Sequence, residues 1–199
     1  GRKLKKLRYG ENPHQQSSIY VSDYEDQRLG FNQIHGKELS YNNYNDIFAG
    51  LDLLFANPKT PTTVIIKHAN PCGISSNKSS LKSFVNARAS DPISAFGGVV
   101  ACNYKIDSKI ALEISKTFFE VILAKGFDKK ALKILKKKKN MRVVDIAKFK
   151  YESKTNVKFF DNAFLLQEKD ELVLNKKTLK FVTHKKPSKK ELNDIEFAF

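Results

Sequence analysis

Four short stretches of this 199-residue chain combine ionisable or hydrogen-bonding side chains with the turn formers that expose them. They are Leu7 to Gln15 (LRYGENPHQ), His35 to Asn43 (HGKELSYNN), Lys67 to Gly73 (KHANPCG) and Ser90 to Gly98 (SDPISAFGG). Lys67 offers a fixed cation for an oxyanion or a phosphate, and His68 offers a base that titrates near neutrality; together they suit acyl-type transfer. From spacing alone, a Lys-His pair that merely solvates a strand end is the stronger reading. Gly97 and Gly98 permit a close backbone approach to a ligand, and Phe96 could lie against a flat ring, although paired glycines also mark strand entries and bulges. Arg8 beside Tyr9 could clamp a phosphate and stack on a base, or could belong to the basic opening of a surface strand.

Other chemistries lack their residues. His68, Pro71 and Cys72 resemble part of a zinc deaminase signature, but the Glu two positions after the His and the second Cys are missing, so a metal site is not expected. There is no GxxxxGK[ST] loop and no GxGxxG after a strand, so neither ATP nor a dinucleotide is signalled. Cys72 and Cys102 are too few for a disulfide framework and are read as reduced thiols.

The elements that must position these groups follow from periodicity. Ile19 to Val21 is a short strand candidate, and Asn45 or Asp46 could cap a helix carrying Ile47, Leu51, Leu54 and Phe55. Pro58 and Pro61 mark its exit. Thr62 to Ile66 is a β-branched strand ending at Lys67 and His68, followed by a turn at Asn70, Pro71 and Gly73. In α/β sheets ligands collect at the carboxyl ends of strands, the position Lys67 and His68 take. Ser80 could cap a helix with Leu81, Phe84 and Val85 inward, and Val99 to Cys102 reads as a strand. Asp107 caps a helix with Ile110, Ala111, Ile114 and Phe118 on one side, and Val121 to Ala124 is a strand. Asp128 opens a helix with Ala131, Leu132 and Leu135 together, and Met141 to Ile146 is the next strand.

This alternation predicts an α/β layer structure with a largely parallel sheet. Beyond Tyr151 come shorter β-like runs, Phe159 to Leu166, Leu172 to Leu174 and Leu179 to Thr183. Ser188 and Glu191 then form a capping box for a helix through Leu192, Ile195 and Phe199. That helix lacks a C-cap, so the chain is expected to be truncated. Residues 1–150 are expected to form one α/β subdomain, and 151–199 a β-rich extension with the start of a helix.

Composition narrows the class. Hydrophobic content of 41% with 15 Phe and 7 Tyr is too high for a disordered chain. No apolar run approaches the ~20 residues of a membrane span, and no signal peptide is evident, so a cytoplasmic location is expected. The net charge of +15 predicts attraction to anions. Lys125 to Lys150 holds eleven Lys or Arg against Asp128 and Asp145. Lys136 to Lys139 has no interleaved aromatics to stack on bases, which favours solvated helix faces over a dedicated nucleic-acid surface. A basic nucleic-acid-binding module remains the second reading, and a packing or dimerisation role for the four stretches the third.

In this order and spacing, LRYGENPHQ, GKELSYNN, VIIKHANPCG and DPISAFGG resemble the opening half of the AICAR transformylase domain of the AICAR transformylase/IMP cyclohydrolase family, with the likeness running from about Leu7 to the chain end. The resemblance implies transfer of a formyl group from 10-formyltetrahydrofolate to the amine of AICAR, in purine (IMP) biosynthesis, with no metal. It implies a cytidine deaminase-like three-layer α-β-α subdomain with a mixed sheet, one copy of a duplicated domain whose active sites form across a homodimer. Lys67 then falls on the lysine that stabilises the transition state and His68 on the proton acceptor. Arg8, Tyr9, Gly97 and Glu120 fall on nucleotide contacts, and Ile93 and Phe96 lie near the folate. With the rest of the site absent, the chain alone is expected to be inactive or nearly so.

Overall fold

The computed structural model describes residues 1–21, 29–56, 60–151, 154–170 and 174–199. The chain divides into two compact units, Gly1–Tyr151 and Glu152–Phe199.

The first unit opens with an antiparallel ribbon of β1 (Arg2–Lys6) and β2 (Ser18–Val21). Next come β3 (Asn32–His35), helix α1 (Tyr41–Ala56), β4 (Thr62–Lys67), β5 (Asn70–Ser76) and α2 (Ser80–Ser90). The remainder alternates as β6 (Val99–Cys102), α3 (Ser108–Ser115), β7 (Val121–Ala124), α4 (Lys129–Leu135) and β8 (Arg142–Asp145). Six of these strands form one sheet in the order β3-β8-β7-β6-β4-β5. Its centre is parallel, β6 to β7 to β8, and the β3–β8, β6–β4 and β4–β5 junctions are antiparallel.

The sheet is therefore mixed, as the family resemblance implies, and not largely parallel as alternation alone predicts. The reason is the β4–β5 hairpin: Asn70, Pro71 and Gly73 are strand residues, not a turn. Proline is tolerated there because β5 lies at the sheet edge and Pro71 sits where the register shifts.

Side chains alternate across the strands and give the sheet two buried faces. Val64, Ile66, Val99, Ala101, Val121, Leu123 and Val144 pack with Ile47, Leu51 and Leu54 of α1 and with Leu7 and Ile19 of the ribbon. Ile65, Val100, Cys102, Ile122, Ala124 and Val143 face the other way. They meet Phe84 and Ala87 of α2, Ile110, Ala111 and Ile114 of α3, and Ala131 and Leu135 of α4. The result is three layers, helix on sheet on helix.

Several helix boundaries move relative to expectation. α1 starts at Tyr41, because Ser40 and Asn43 bond reciprocally: the Asn43 N–H donates to Ser40 Oγ, and the Ser40 N–H to Asn43 Oδ1, each at 3.2 Å. Asn45 and Asp46 thus lie inside the helix, not at its cap. Ser79, not Ser80, caps α2. Asp107 caps α3 as expected, accepting from the Ile110 N–H at 2.9 Å. α3 ends at Ser115, so Phe118 leaves the helix and is exposed while Phe119 is buried against Phe84. Asp128 precedes α4 but makes no side-chain cap bond. The α4 lysines, Lys129, Lys130 and Lys133, are exposed while Ala131 and Leu135 face the core. Charge there decorates the outer face of an amphipathic helix. Pro58 lies outside the described residues.

A polar network is sealed between β4 and α2. The Thr63 hydroxyl lies 2.6 Å from the Tyr104 hydroxyl and 3.0 Å from the Ser83 hydroxyl, and Ser83 Oγ donates to the Ser75 carbonyl at 2.7 Å. Burial pushes the Cys102 thiol beside it up to about 11, against the pull of hydrogen bonds from Tyr104 and Thr63. Thiolate is the reactive species, so iodoacetamide at pH 8 is expected to leave Cys102 unmodified in the folded chain and to label it on denaturation. Peptide mass spectrometry checks this; rapid native labelling of Cys102 would contradict it.

The second unit holds an antiparallel hairpin of β9 (Thr155–Phe160) and β10 (Ala163–Glu168) and helix α5 (Lys189–Ala198). The Ser188–Glu191 capping box is present in both directions. All hairpin strand residues are exposed, including Phe159, Phe160, Phe164 and Leu165, and α5 buries no side chain. Leu172 and Val173 lie outside the described residues. Leu179 to Thr183 forms no strand with any of the described residues. Among the described residues no helix is long and apolar enough to cross a membrane.

Candidate functional site

Lys67 ends β4, and its neighbours come from the segment that enters β6. Its ammonium donates to the Phe96 carbonyl at 2.6 Å and lies 3.8 Å from where a Cβ on Gly97 would stand. Gly97 adopts φ +75°, a conformation available to glycine at little cost, and its N–H donates to the Phe118 carbonyl at 2.8 Å. Ser90 to Gly98 is folded tightly from within. Asp91 accepts from the Ser94 N–H at 2.9 Å, and hydrogen bonds from the Ser94 hydroxyl and then its N–H hold the Asp91 carboxyl below its ordinary value. This leaves Ile93 and Phe96 pointing outward, 87% and 58% exposed, with Phe96 resting on Phe118 at 5.4 Å between ring centroids.

His68 and Ala69 form the two-residue turn between β4 and β5, since Lys67 pairs with Asn70 across it. Their φ angles are +54° and +58°. Positive φ at both central residues is the type I′ geometry that suits the twist of a hairpin, and it is normally filled by Asn-Gly. With a Cβ at each position, the left-handed conformation costs about 1–2 kcal/mol per residue. Two side chains offset that cost. The Ala69 N–H donates to Asp46 Oδ1 of α1 at 2.7 Å, and Asn70 Nδ2 donates to the His68 carbonyl at 2.8 Å. The His68 ring is left exposed.

One carboxylate, that of Asp46, faces this turn, and the Glu120 charge acts on it. Burial is the main cause that raises the Asp46 carboxyl above its ordinary value, reinforced by the Glu120 charge. The peptide N–H groups of Ala69 and His68, and the His68 ring, pull it the other way. Glu120 itself accepts from Asn43 Nδ2 at 2.9 Å and pairs with the Arg142 guanidinium at 3.6 Å. Its main-chain N–H donates to the Gly98 carbonyl at 3.0 Å, and its carbonyl accepts from the Arg142 N–H at 2.9 Å.

Arg8 and Tyr9 sit in the loop that joins β1 to β2. The Arg8 guanidinium lies 5.5 Å over the Tyr9 ring, and the Ser17 hydroxyl donates to the Tyr9 carbonyl at 2.6 Å. Contacts tie this ribbon to the start of α1 and to Arg142. Asn42 Nδ2 donates to the Glu11 carbonyl at 3.4 Å, Lys5 pairs with Glu38 at 2.6 Å, and Arg142 Nε donates to the Glu38 carbonyl at 3.3 Å. Lys67, Phe96 and Gly97 are thus in direct contact. His68 and Glu120 both act on the Asp46 carboxyl, with opposite sign. Arg8 and Tyr9 contact each other and Ser17, in a loop of the ribbon that is tied to the start of α1.

The geometry amends one inference and adds two residues. Lys67 and His68 do lie at the carboxyl end of β4, but Gly97, Glu120 and Arg142 stand at or before the amino ends of β6, β7 and β8. The antiparallel β4–β6 junction is what brings opposite strand ends to one edge of the sheet. Asp46 escapes sequence reasoning as a site residue because it reads as a helix-capping candidate, and Asn43 because it is only the last residue of the polar stretch His35 to Asn43, with no role of its own. The available signal is redundancy: the run Ser40, Asn42, Asn43, Asn45 and Asp46 holds more capping side chains than one helix start can use. Cys72, the other half of the apparent zinc motif, is half-buried and directs its thiol at the Ile65 carbonyl, 3.5 Å away.

The family model described as AICARFT/IMPCHase bienzyme matches residues 1–199. Among curated proteins, the chain is 42% identical over 198 residues to a protein of Thermoanaerobacter sp. (strain X514) named bifunctional purine biosynthesis protein PurH, covering 99% of this chain and 39% of that protein. It is 39% identical over 199 residues to the protein of the same name from Aquifex aeolicus (strain VF5), covering 100% of this chain and 38% of that one. The corresponding protein of Buchnera aphidicola subsp. Schizaphis graminum is 44% identical over 203 residues, with coverage of 99% and 38%. The chain thus spans 38–39% of the length of these relatives.

Proposed function

Because this chain belongs to the AICARFT/IMPCHase bienzyme family, we propose that it supplies the Lys67–His68 corner of a formyltransferase site within a longer purine-biosynthesis protein. The reaction moves the formyl group of 10-formyltetrahydrofolate to the exocyclic amine of AICAR, and the longer protein also carries IMP cyclohydrolase activity. The observation that carries this reading is the placement of an anchored ammonium, Lys67, next to an exposed imidazole, His68, at a sheet edge also formed by Gly97 and Glu120.

The acceptor amine is conjugated with a neighbouring carboxamide and is a poor nucleophile. His68 takes its proton as the nitrogen attacks the formyl carbon. An oxyanion develops on the formyl oxygen, and the Lys67 ammonium, held by the Phe96 carbonyl, stabilises it without having to reorganise. The oxyanion then collapses, the bond from the formyl carbon to the folate nitrogen breaks, and that nitrogen leaves as the N–H of tetrahydrofolate, taking up one proton in balance with the one His68 removed from the amine. Arg8 and Tyr9 bind the nucleotide with Gly97 and Glu120, while exposed Ile93 and Phe96 cover the pterin of the folate. The +15 charge raises the encounter rate of a phosphate monoester and a polycarboxylate. Residues 1–150 act as the first cytidine deaminase-like subdomain and 151–199 lead toward a second, in a cytoplasmic homodimer.

The test is steady-state formyl transfer by a protein of the relatives' full length that carries this segment. Tetrahydrofolate release matched by formylated nucleotide is expected; absence of turnover with both substrates present overturns the reading. The lysine-rich α4 face supports a second reading, a nucleic-acid surface. Duplex titration at two salt concentrations separates them, since a phosphate-reading surface binds with a steep salt slope. Little binding at physiological salt is expected.

A further inference from the structure

We propose that Asp46 is a positioning residue for His68: from the buried-faced helix α1 it grips the peptide of Ala69 and so keeps the left-handed His68–Ala69 turn closed. The proposal rests on the formyl-transfer reading above.

Three observations carry it. First, the Asp46 carboxylate is not engaged in capping its own helix, which begins five residues earlier with the Ser40–Asn43 pair. It accepts instead from Ala69, 23 residues downstream, at 2.7 Å. Second, the carboxylate is fixed relative to the sheet, because the next residue, Ile47, and Leu51 and Leu54 are buried against β4 and β6 strand residues. Third, the turn needs such a grip. Both central residues carry a Cβ at positive φ, and Ala69 has no polar side chain with which to satisfy its own backbone in that conformation. Asn70 secures the His68 carbonyl, and Asp46 secures the Ala69 N–H, so the single peptide between His68 and Ala69 is held at both of its polar groups. Without the Asp46 acceptor, the turn is free to relax toward ordinary backbone angles, and the imidazole moves with it.

The experiment compares wild type, Asp46→Ala, Asp46→Asn and the double variant Asp46→Ala with Ala69→Gly, in a protein of the relatives' full length that carries this segment. Asp46→Ala is expected to lower kcat by about 30–100-fold with KM for the nucleotide within about threefold, as a displaced catalytic group does. Asp46→Asn keeps an acceptor oxygen and is expected within about tenfold of wild-type kcat. Glycine adopts positive φ freely, so adding Ala69→Gly to Asp46→Ala is expected to recover at least about tenfold in kcat. A loss that Ala69→Gly does not relieve, or an Asp46→Ala kcat within about threefold of wild type, overturns the proposal. Should Asp46→Ala fail to fold, the double variant decides it: a kcat within about tenfold of wild type is expected, and a larger loss overturns the proposal.

Hydrogen exchange at the Ala69 amide supplies a readout independent of activity. Exchange is expected to accelerate by about tenfold or more in Asp46→Ala or, if that variant does not fold, in the double variant. Unchanged exchange overturns the proposal. A wild-type protein without formyl transfer sinks the functional reading alone, and the amide measurement then still judges the grip.

Discussion

Substituting His68 by Ala in the full-length protein is expected to lower kcat for formyl transfer by about 10²–10⁴-fold, the usual contribution of a positioned general base. Stability should scarcely change. The side chain is exposed, its backbone conformation is held by Asp46 and Asn70, and surface substitutions of this kind stay within about 0.5 kcal/mol. Kinetics and thermal unfolding of the same variant discriminate between chemistry and packing. A protein that melts early yet turns over normally would return His68 to a structural role, with the four polar stretches serving only to build the edge of the sheet.

Gly73→Ala should do the reverse and abolish folding rather than chemistry. A Cβ at this buried position would stand 1.9 Å from the Ala87 carbonyl oxygen and 2.9 Å from its carbon. Both are backbone atoms of α2, so no rotamer change relieves the clash. β5 would have to lift from α2, at a cost of about 3 kcal/mol or more, at or beyond the upper end of ordinary overpacking. Urea unfolding of the chain carrying Gly73→Ala measures this directly; a midpoint equal to wild type would mean that strand and helix separate more easily than the geometry implies. The expected loss also reassigns the glycine. In KHANPCG it is the residue that lets an edge strand lie against a helix, and the turn belongs to His68 and Ala69.

That reassignment shows where sequence reasoning reached and where it stopped. The apolar strands were legible because both faces of the sheet are buried, so Thr62 to Ile66, Val99 to Cys102 and Val121 to Ala124 read as continuous β-branched and aliphatic runs. The edge strands were not. β3 is polar and half-exposed, and β5 contains Pro71 and Gly73, residues that central strands exclude. Missing β5 turned a hairpin into a loop and a mixed sheet into a parallel one. At the site, Lys67, His68 and Gly97 were visible as residues exposed by turn formers. Asp46 was invisible because its partner is a backbone N–H, which leaves no trace in composition, and because a carboxylate near a helix start has a sufficient local explanation.

The groups gathered at the sheet edge have a developmental consequence for the molecule. Asn43, Asp46, Lys67, Gly97, Glu120 and Arg142 span a hundred residues of chain, and they are set in place by helix α1 and by the ends of four strands, β4, β6, β7 and β8. No hairpin or helix pair formed early in folding contains the whole set, and the contacts that unite it are long-range ones whose closure entropy is met late. On the formyl-transfer reading proposed above, a longer protein that carries this segment gains turnover only once this sheet is complete. A partly assembled chain would stay chemically silent, so onset of turnover during refolding would mark completion of the sheet more faithfully than recovery of helical signal.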